Sequence, residues 1–106
     1  MNQDKTIFSK IIDREIPAQI EYEDDKCIVI HDINPRARVH LLIIPKKEIP
    51  SLFELKPEDK DLIAHMMLLL PQLATAQGLD GFRTQINTGE SGGQEVFHIH
   101  IHLLGN

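Results

Sequence analysis

The feature that most constrains this chain is a short run near its end, His98-Ile99-His100-Ile101-His102-Leu103-Leu104. Histidine and aliphatic residues alternate strictly, which is the period of a β-strand. Successive strand side chains point to opposite faces, so the three imidazoles are predicted to share one face. Ile99, Ile101 and Leu103 are then predicted to anchor the other face in a core. A strand rises about 3.4 Å per residue, which predicts neighbouring rings about 7 Å apart. A helix would scatter the three rings around its surface. A glycine-rich turn, with glycines at 89, 92 and 93, leads into the run.

Three readings of such a face compete. It can be a solvated strand face that happens to hold half of the chain's six histidines. It can hold a metal, although His98 and His102 are about 14 Å apart on a flat strand, too far to share one ion. A further ligand would have to come from elsewhere, with His40 and Asp32 as the candidates. It can also be a catalytic cluster, in which one imidazole attacks and others fix tautomers or move protons. An imidazole pKa of about 6.5 keeps both protonation states accessible near neutrality.

The same residues carry a resemblance. The run H-φ-H-φ-H-φ-φ, with φ apolar, resembles the signature of the histidine triad (HIT) superfamily, and most closely its HINT branch of purine nucleotide phosphoramidases. Four further blocks extend it over nearly the whole chain: TIFSKIIDREIPA at 6–18, EDDKC at 23–27, HDINP at 31–35 and HLLIIPKKEI at 40–49. The last block is GGQEVFHIHIHLLG at 92–105. The resemblance implies an α+β fold: a five-stranded antiparallel sheet with one long and one short helix. It also implies a homodimer joining two sheets edge to edge.

Composition bounds the alternatives. At 106 residues the chain is expected to form a single domain over 1–106. It is 42% hydrophobic and 25% charged, an ordinary globular balance. The net charge of −5 lacks the basic footprint that duplex nucleic acid requires. Cys27 stands alone, which excludes an internal disulfide framework and fits a reducing cytoplasm. No apolar run nears the ~20 residues of a membrane span, and the polar start MNQDK lacks the core of a signal peptide.

Along the chain, Thr6 is an N-cap candidate, and Ile7, Phe8, Ile11 and Ile12 fall at helical spacing. That helix is predicted to end before Pro17. Strands are predicted over 18–22, 26–31, 39–44 and 82–87. Acidic residues 23–25 form the first turn, and Asp32-Ile33-Asn34-Pro35 another. Cys27 reads as a packed small hydrophobe. His31 and His65 read as ordinary histidines. Residues 51–55 are predicted to form a short helical turn. The main helix is predicted from 56 to about 77, opened by Pro57 and stopped by Gly78. Leu62, Ile63, Met66, Leu69, Leu70 and Leu73 make its apolar stripe, and Met67 and Leu68 widen it. That excess predicts a second buried face against a partner subunit. Pro71 predicts a kink or a break.

The resemblance assigns expectations to particular residues. His100 is the nucleophile, forming a nucleotidyl-histidine at an α-phosphorus. His98 lies deeper in the cluster with His40, setting orientation, and His102 lies toward the leaving group. Asp32 accepts hydrogen bonds from ribose hydroxyls, although a turn-stabilising carboxylate is the equal alternative. Ile7, Phe8, Ile11 and Ile33 border the base. Asn87 and the backbone of Gly93, Gln94 and Glu95 bind phosphate and ribose. No metal or cofactor is required. The implied reaction is hydrolysis of a purine nucleoside phosphoramidate. The rivals are a dinucleoside polyphosphate hydrolase and a non-catalytic nucleotide- or zinc-binding adaptor. Two other branches fit less well: nucleotidyltransferases replace the third histidine, here His102, with glutamine, and diadenosine-polyphosphate hydrolases tend to place proline where this chain has Gly105. Two departures bear on specificity. Some relatives have serine at the position of Glu95, and many carry a tail beyond the motif, where this sequence stops at Asn106.

Overall fold

The computed structural model describes residues 5–106. The expectation drawn from residues 1–5 therefore lies, apart from Lys5, outside the described residues. Five antiparallel strands form one sheet: β1 (Ile20–Glu23), β2 (Cys27–His31), β3 (Val39–Pro45), β4 (Arg83–Gln85) and β5 (Ile101–Gly105). Their order across the sheet is β1-β2-β3-β5-β4. A short helix α1 (Ile7–Ile12) and a long helix α2 (Lys60–Ala76) complete the α+β fold expected from the sequence.

The central strands explain the architecture. Every residue of β3, and Cys27 to Ile30 of β2, is buried, so the sheet must be covered on both faces. Odd-numbered positions of β2, β3 and β5 (Val29, Leu41, Ile43, Ile101 and Leu103 among them) pack against Met66, Leu69, Leu70 and Leu73 of α2. Even-numbered positions of β2 and β3 (Ile28, Ile30, Leu42, Ile44) pack against Phe8 and Ile11 of α1. Each such side chain stabilises the fold by about 1.5–3 kcal/mol when fully buried. The two helices therefore divide the sheet into a largely apolar face under α2 and a mixed face under α1.

Local chemistry sets the helix ends. The Thr6 hydroxyl accepts the Ser9 N–H at 3.1 Å, capping α1 as predicted. A 3-10 turn at Pro57–Asp59 precedes α2, and Gly78 in the left-handed region at φ +74° follows it. The predicted break at Pro71 does not occur, since α2 runs unbroken from Lys60 to Ala76. Pro71 and Met67, whose carbonyl loses its N–H partner, both lie on the exposed side of the helix. Met67 is 45% and Leu68 68% exposed. No helix among the described residues is long and apolar enough to cross a membrane.

The strand carrying the histidines is shorter than predicted. The ladder of β5 begins at Ile101, because Ile99 donates its N–H to Ile49 O at 2.7 Å instead of to β3. Only His102 of the three lies in regular strand. β4 covers Arg83–Gln85 where 82–87 was expected, and β1 starts at Ile20 instead of 18.

Candidate functional site

The mixed face of the sheet gathers the histidines. Leu42 of β3 pairs with His102 of β5, and His40 stands two residues before Leu42 on the same face. The rings form a continuous row. His40 and His102 centroids are 5.2 Å apart, His102 and His100 5.0 Å, and Phe8 of α1 stands edge-on 4.8 Å from His100. Phe8 also meets His98, at 6.2 Å. The 5.0 Å spacing is closer than the roughly 7 Å of a flat strand, because residues 98–100 leave the ladder. His40 was expected beside His98. It lies instead at the other end of the row, bonded to His102.

The hydrogen-bond network assigns the tautomers. His98 Nε2 faces Pro45 O at 2.7 Å, and a carbonyl only accepts, so this nitrogen carries hydrogen. His100 Nδ1 faces the His98 carbonyl at 2.8 Å and donates to it in the same way. Nε2 of His100 therefore bears a lone pair, and it has no partner among the described residues. His40 Nδ1 accepts the Arg36 N–H at 3.2 Å, which places its hydrogen on Nε2. That N–H donates to His102 Nδ1 at 2.9 Å and leaves His102 Nε2–H free to donate outward. Asp32 Oδ2 stands 3.5 Å from His40 Nε2.

Burial drives the protonation states. It lowers the pKa of His98, His100 and His40 from the usual imidazole value. It carries His102 furthest, to about 4, aided by the neighbouring charges of His100, His40 and Arg36. All four rings are therefore neutral near neutrality, the state in which an imidazole nitrogen can act as a nucleophile.

A cavity of about 500 Å³ opens beside this row, within the range of small-molecule sites. His100 and His102 line it, while His98 lies behind them and is 1% exposed. Of the three α1 residues expected near a base, Phe8 lines the cavity. Ile11 is buried in the α1 core, and Ile7 is 46% exposed. Ile33 is 86% exposed at the turn beside the cavity residue Asp32. Asp32 combines both of its expected settings. Its Oδ1 accepts the Asn34 N–H at 2.8 Å and stabilises the turn, and the residue also lines the cavity.

Asn87, Gly93, Gln94 and Glu95 all line the cavity, but their polar groups are not equally available. The Gln94 side chain is buried and holds the loop together, donating to Pro50 O and Val96 O and accepting the Gly89 N–H. The N–H groups of Gly92, Gly93 and Gln94 already donate to Gly89 and Glu90 carbonyls. Those of Glu95 and Val96 donate to no described residue, and both residues line the cavity, so their N–H groups are available to an anion there. Gly93 is at φ +88°, and a Cβ there would lie 3.0 Å from Asn87 Nδ2. Glycine thus permits both the turn and the close approach of the Asn87 amide, which donates to Gly92 O at 2.8 Å.

Several participants are not evident in the sequence. Ser9 Oγ donates to Glu48 Oε2 at 2.8 Å and lies 3.4 Å from His98 Nδ1. Arg36, Gln85 and Val96 line the cavity. Of these, only Arg36 had a local signal, its place between the Asp32 turn and His40.

Two groups of side chains come within reach of a common cation. The first is Asp32, His40 and His102, whose two imidazoles are joined by the hydrogen bond of 2.9 Å. The second is Asp24, Cys27 and His65, where burial pushes the Cys27 thiol up to about 12. Asp24 there accepts from the Lys26 and Cys27 N–H groups, Tyr22 OH and His65 Nε2, locking the β1–β2 turn to α2.

A five-stranded antiparallel sheet bearing alternating histidines on its short-helix face defines the histidine triad class of α+β proteins. A family model described as "Scavenger mRNA decapping enzyme C-term binding" matches residues 5–106. Protein HitA of Neisseria gonorrhoeae is 54% identical over 103 residues, 96% of each chain. An uncharacterized HIT-like protein of Synechococcus elongatus is 53% identical over 106 residues, covering 99% of this chain and 92% of its own. The crystal structure of a HIT family hydrolase from Legionella pneumophila matches with a TM-score of 0.94 at 43% identity, over 96% of this chain and 93% of that one. The chain belongs to the histidine triad superfamily.

Proposed function

We propose that this protein is a nucleotide hydrolase that cleaves the P–N bond of purine nucleoside 5′-phosphoramidates. One observation carries the reading: the His98 carbonyl holds the hydrogen of His100 on Nδ1, leaving the Nε2 lone pair for an electrophile in the cavity. His100 Nε2 attacks the α-phosphorus and the P–N bond breaks. The nitrogen departs as an amine with a proton drawn from solvent through His102. Water then attacks the nucleotidyl-histidine, breaks the P–Nε2 bond, releases the nucleoside monophosphate and returns one proton to solvent.

The remaining residues take supporting parts. The Glu95 and Val96 N–H groups and His102 Nε2–H hold phosphate oxygens, offsetting charge that grows during attack. Asn87 and the loop backbone at Gly93 and Gln94, whose N–H groups are bonded within the loop, shape the wall of the phosphate and ribose site. Asp32 accepts from ribose hydroxyls, and Phe8 on the cavity wall and the exposed Ile33 border the purine. His40 fixes the tautomer of His102, and His98 that of His100. The working form is a homodimer in the cytoplasm. Exposed Met67 and Leu68 on α2, and the outer edge of the sheet at β4, support the dimer. The buried free thiol of Cys27 suits a reducing compartment.

The test is turnover of adenosine 5′-phosphoramidate by the parent and by His100→Ala. Loss of the nucleophile is expected to lower kcat by about a thousandfold or more. Turnover at the parent rate in the variant would overturn the assignment.

A further inference from the structure

A second cluster of ligating side chains lies away from the histidine row, at the other face of the sheet. Asp24, Cys27 and His65 each bring one ligand atom to it, and those atoms all lie within 4.8 Å of one another. Asp24 and Cys27 share the tight turn between β1 and β2, which the Asp24 N–H closes by donating to Cys27 O at 3.0 Å. His65 comes from α2, 41 residues beyond Asp24. The Cys27 side chain belongs to the core under α2, whereas His40, His100 and His102 gather on the face under α1.

The turn holds the carboxylate in a fixed pose. Asp24 Oδ1 accepts the Lys26 and Cys27 N–H groups at 2.8 and 2.9 Å. Oδ2 then faces His65 Nε2 at 2.6 Å and the Tyr22 hydroxyl at 2.8 Å. Outer bonds of this kind orient the ligands of a metal. The Cys27 thiol is fully buried, while the side chains of Asp24 and His65 are 20% and 31% exposed, which leaves an ion a way in. Thiolate, imidazole and carboxylate are zinc ligands, bound at about 2.0–2.3 Å, and three of them leave one position for water. On a tetrahedron with such bonds the ligand atoms stand roughly 3.3–3.7 Å apart, so the trio closes around an ion with shifts of about 1 Å.

We propose that Asp24, Cys27 and His65 form a zinc site that clamps the β1–β2 turn to α2, with water as the fourth ligand. Binding sends the thiol proton to solvent, since a coordinated thiol is deprotonated outright. His65 ligates through Nε2 with its hydrogen on Nδ1. One carboxylate and one thiolate then neutralise the ion. Because a proton is released, affinity rises with pH. The site is independent of the proposed reaction.

The test uses the full chain, freed of metal by chelation, with zinc alone as the probe. His65→Gln keeps a donor for Asp24, and Cys27→Ser keeps the size of the side chain. Each is expected to weaken zinc binding in calorimetry by about a hundredfold or more, since even changes to outer bonds cost about 10–100-fold. Zinc at a hundredfold excess over its Kd is expected to raise the thermal midpoint of the parent by about 10 °C, and the same zinc concentration to move either variant little. Cobalt in place of zinc is expected to give a thiolate-to-metal absorption band in the parent that Cys27→Ser lacks. A parent that binds no zinc, or zinc binding of parent strength in His65→Gln, would overturn the site. Cobalt binding without the thiolate band would overturn it too, because it would place the ion among histidines and carboxylates elsewhere. If Cys27→Ser fails to fold, His65→Gln and the cobalt spectrum of the parent decide.

Discussion

His98 and His102 flank the same ring, yet their surroundings differ in almost every contact. His98 is 1% exposed, with Nε2 bonded to Pro45 O and Nδ1 beside the Ser9 hydroxyl. It ties α1, the end of β3 and the incoming chain together behind the cavity. His102 lines the cavity, receives one hydrogen from His40 and has Nε2–H free. Identical side chains on either side of His100 thus differ: one is a buried strut, and the other carries an unpartnered N–H at the cavity. Location relative to the ladder decides which. His102 lies inside β5, where the pleat presents it to the cavity, and His98 precedes it, where the chain bends under α1.

The contrast is broken most severely through His102. His102→Ala is expected to lower kcat by about 10² to 10⁴, the usual range for proton transfer, while the thermal midpoint moves little. Next comes His98→Ala, which leaves Pro45 O unpartnered and opens space beneath Phe8. It is expected to cost about 2–4 kcal/mol of folding stability in a denaturant titration. If His98→Ala instead lowered kcat as much as His102→Ala without loss of stability, the division into strut and donor would fail.

The pH dependence sharpens the same contrast. All four imidazoles have pKa values lowered by burial, so the unfolded chain binds more protons than the folded one below the ordinary value of about 6.5. Stability is fully present above that pH and is lost as pH falls toward the folded values. For His102 the loss extends down to about 4. The acid limb of kcat/KM is likewise expected below a pH of about 6.5, as His100 Nε2 protonates. An acid limb centred above that value would contradict the neutral nucleophile. A smaller effect concerns α2, remote from both ends. Leu68→Asp is expected to shift sedimentation toward the monomer, with a change in folding free energy within about 0.5 kcal/mol at this exposed position.

The alternation at 98–104 made the face-sharing of the rings legible, because period two is a local property of the sequence. It also placed Ile99, Ile101 and Leu103 in the buried interior, where Ile101 and Leu103 join the cluster under α2. The start of β5 was not legible, since it depends on Ile99 pairing with Ile49, far back in the chain. The partner of His40 was hidden for the same reason: only the β3–β5 register brings it to His102. Ser9 and Glu48 lie 39 residues apart and carry no motif, so their contact behind His98 emerges only from the fold. Pro71 argued for a break from local propensity alone, and the packing of Met66, Leu69, Leu70 and Leu73 on the sheet overrode it.

Mass spectrometry of protein quenched during turnover of adenosine 5′-phosphoramidate tests the nucleophile most directly. A gain equal to one adenylyl group is expected on the peptide spanning 97–104, localised to His100 and absent from His100→Ala. An adduct on His98 or His102, or full turnover with no adduct under acid-free quenching, would contradict the lone-pair geometry at His100.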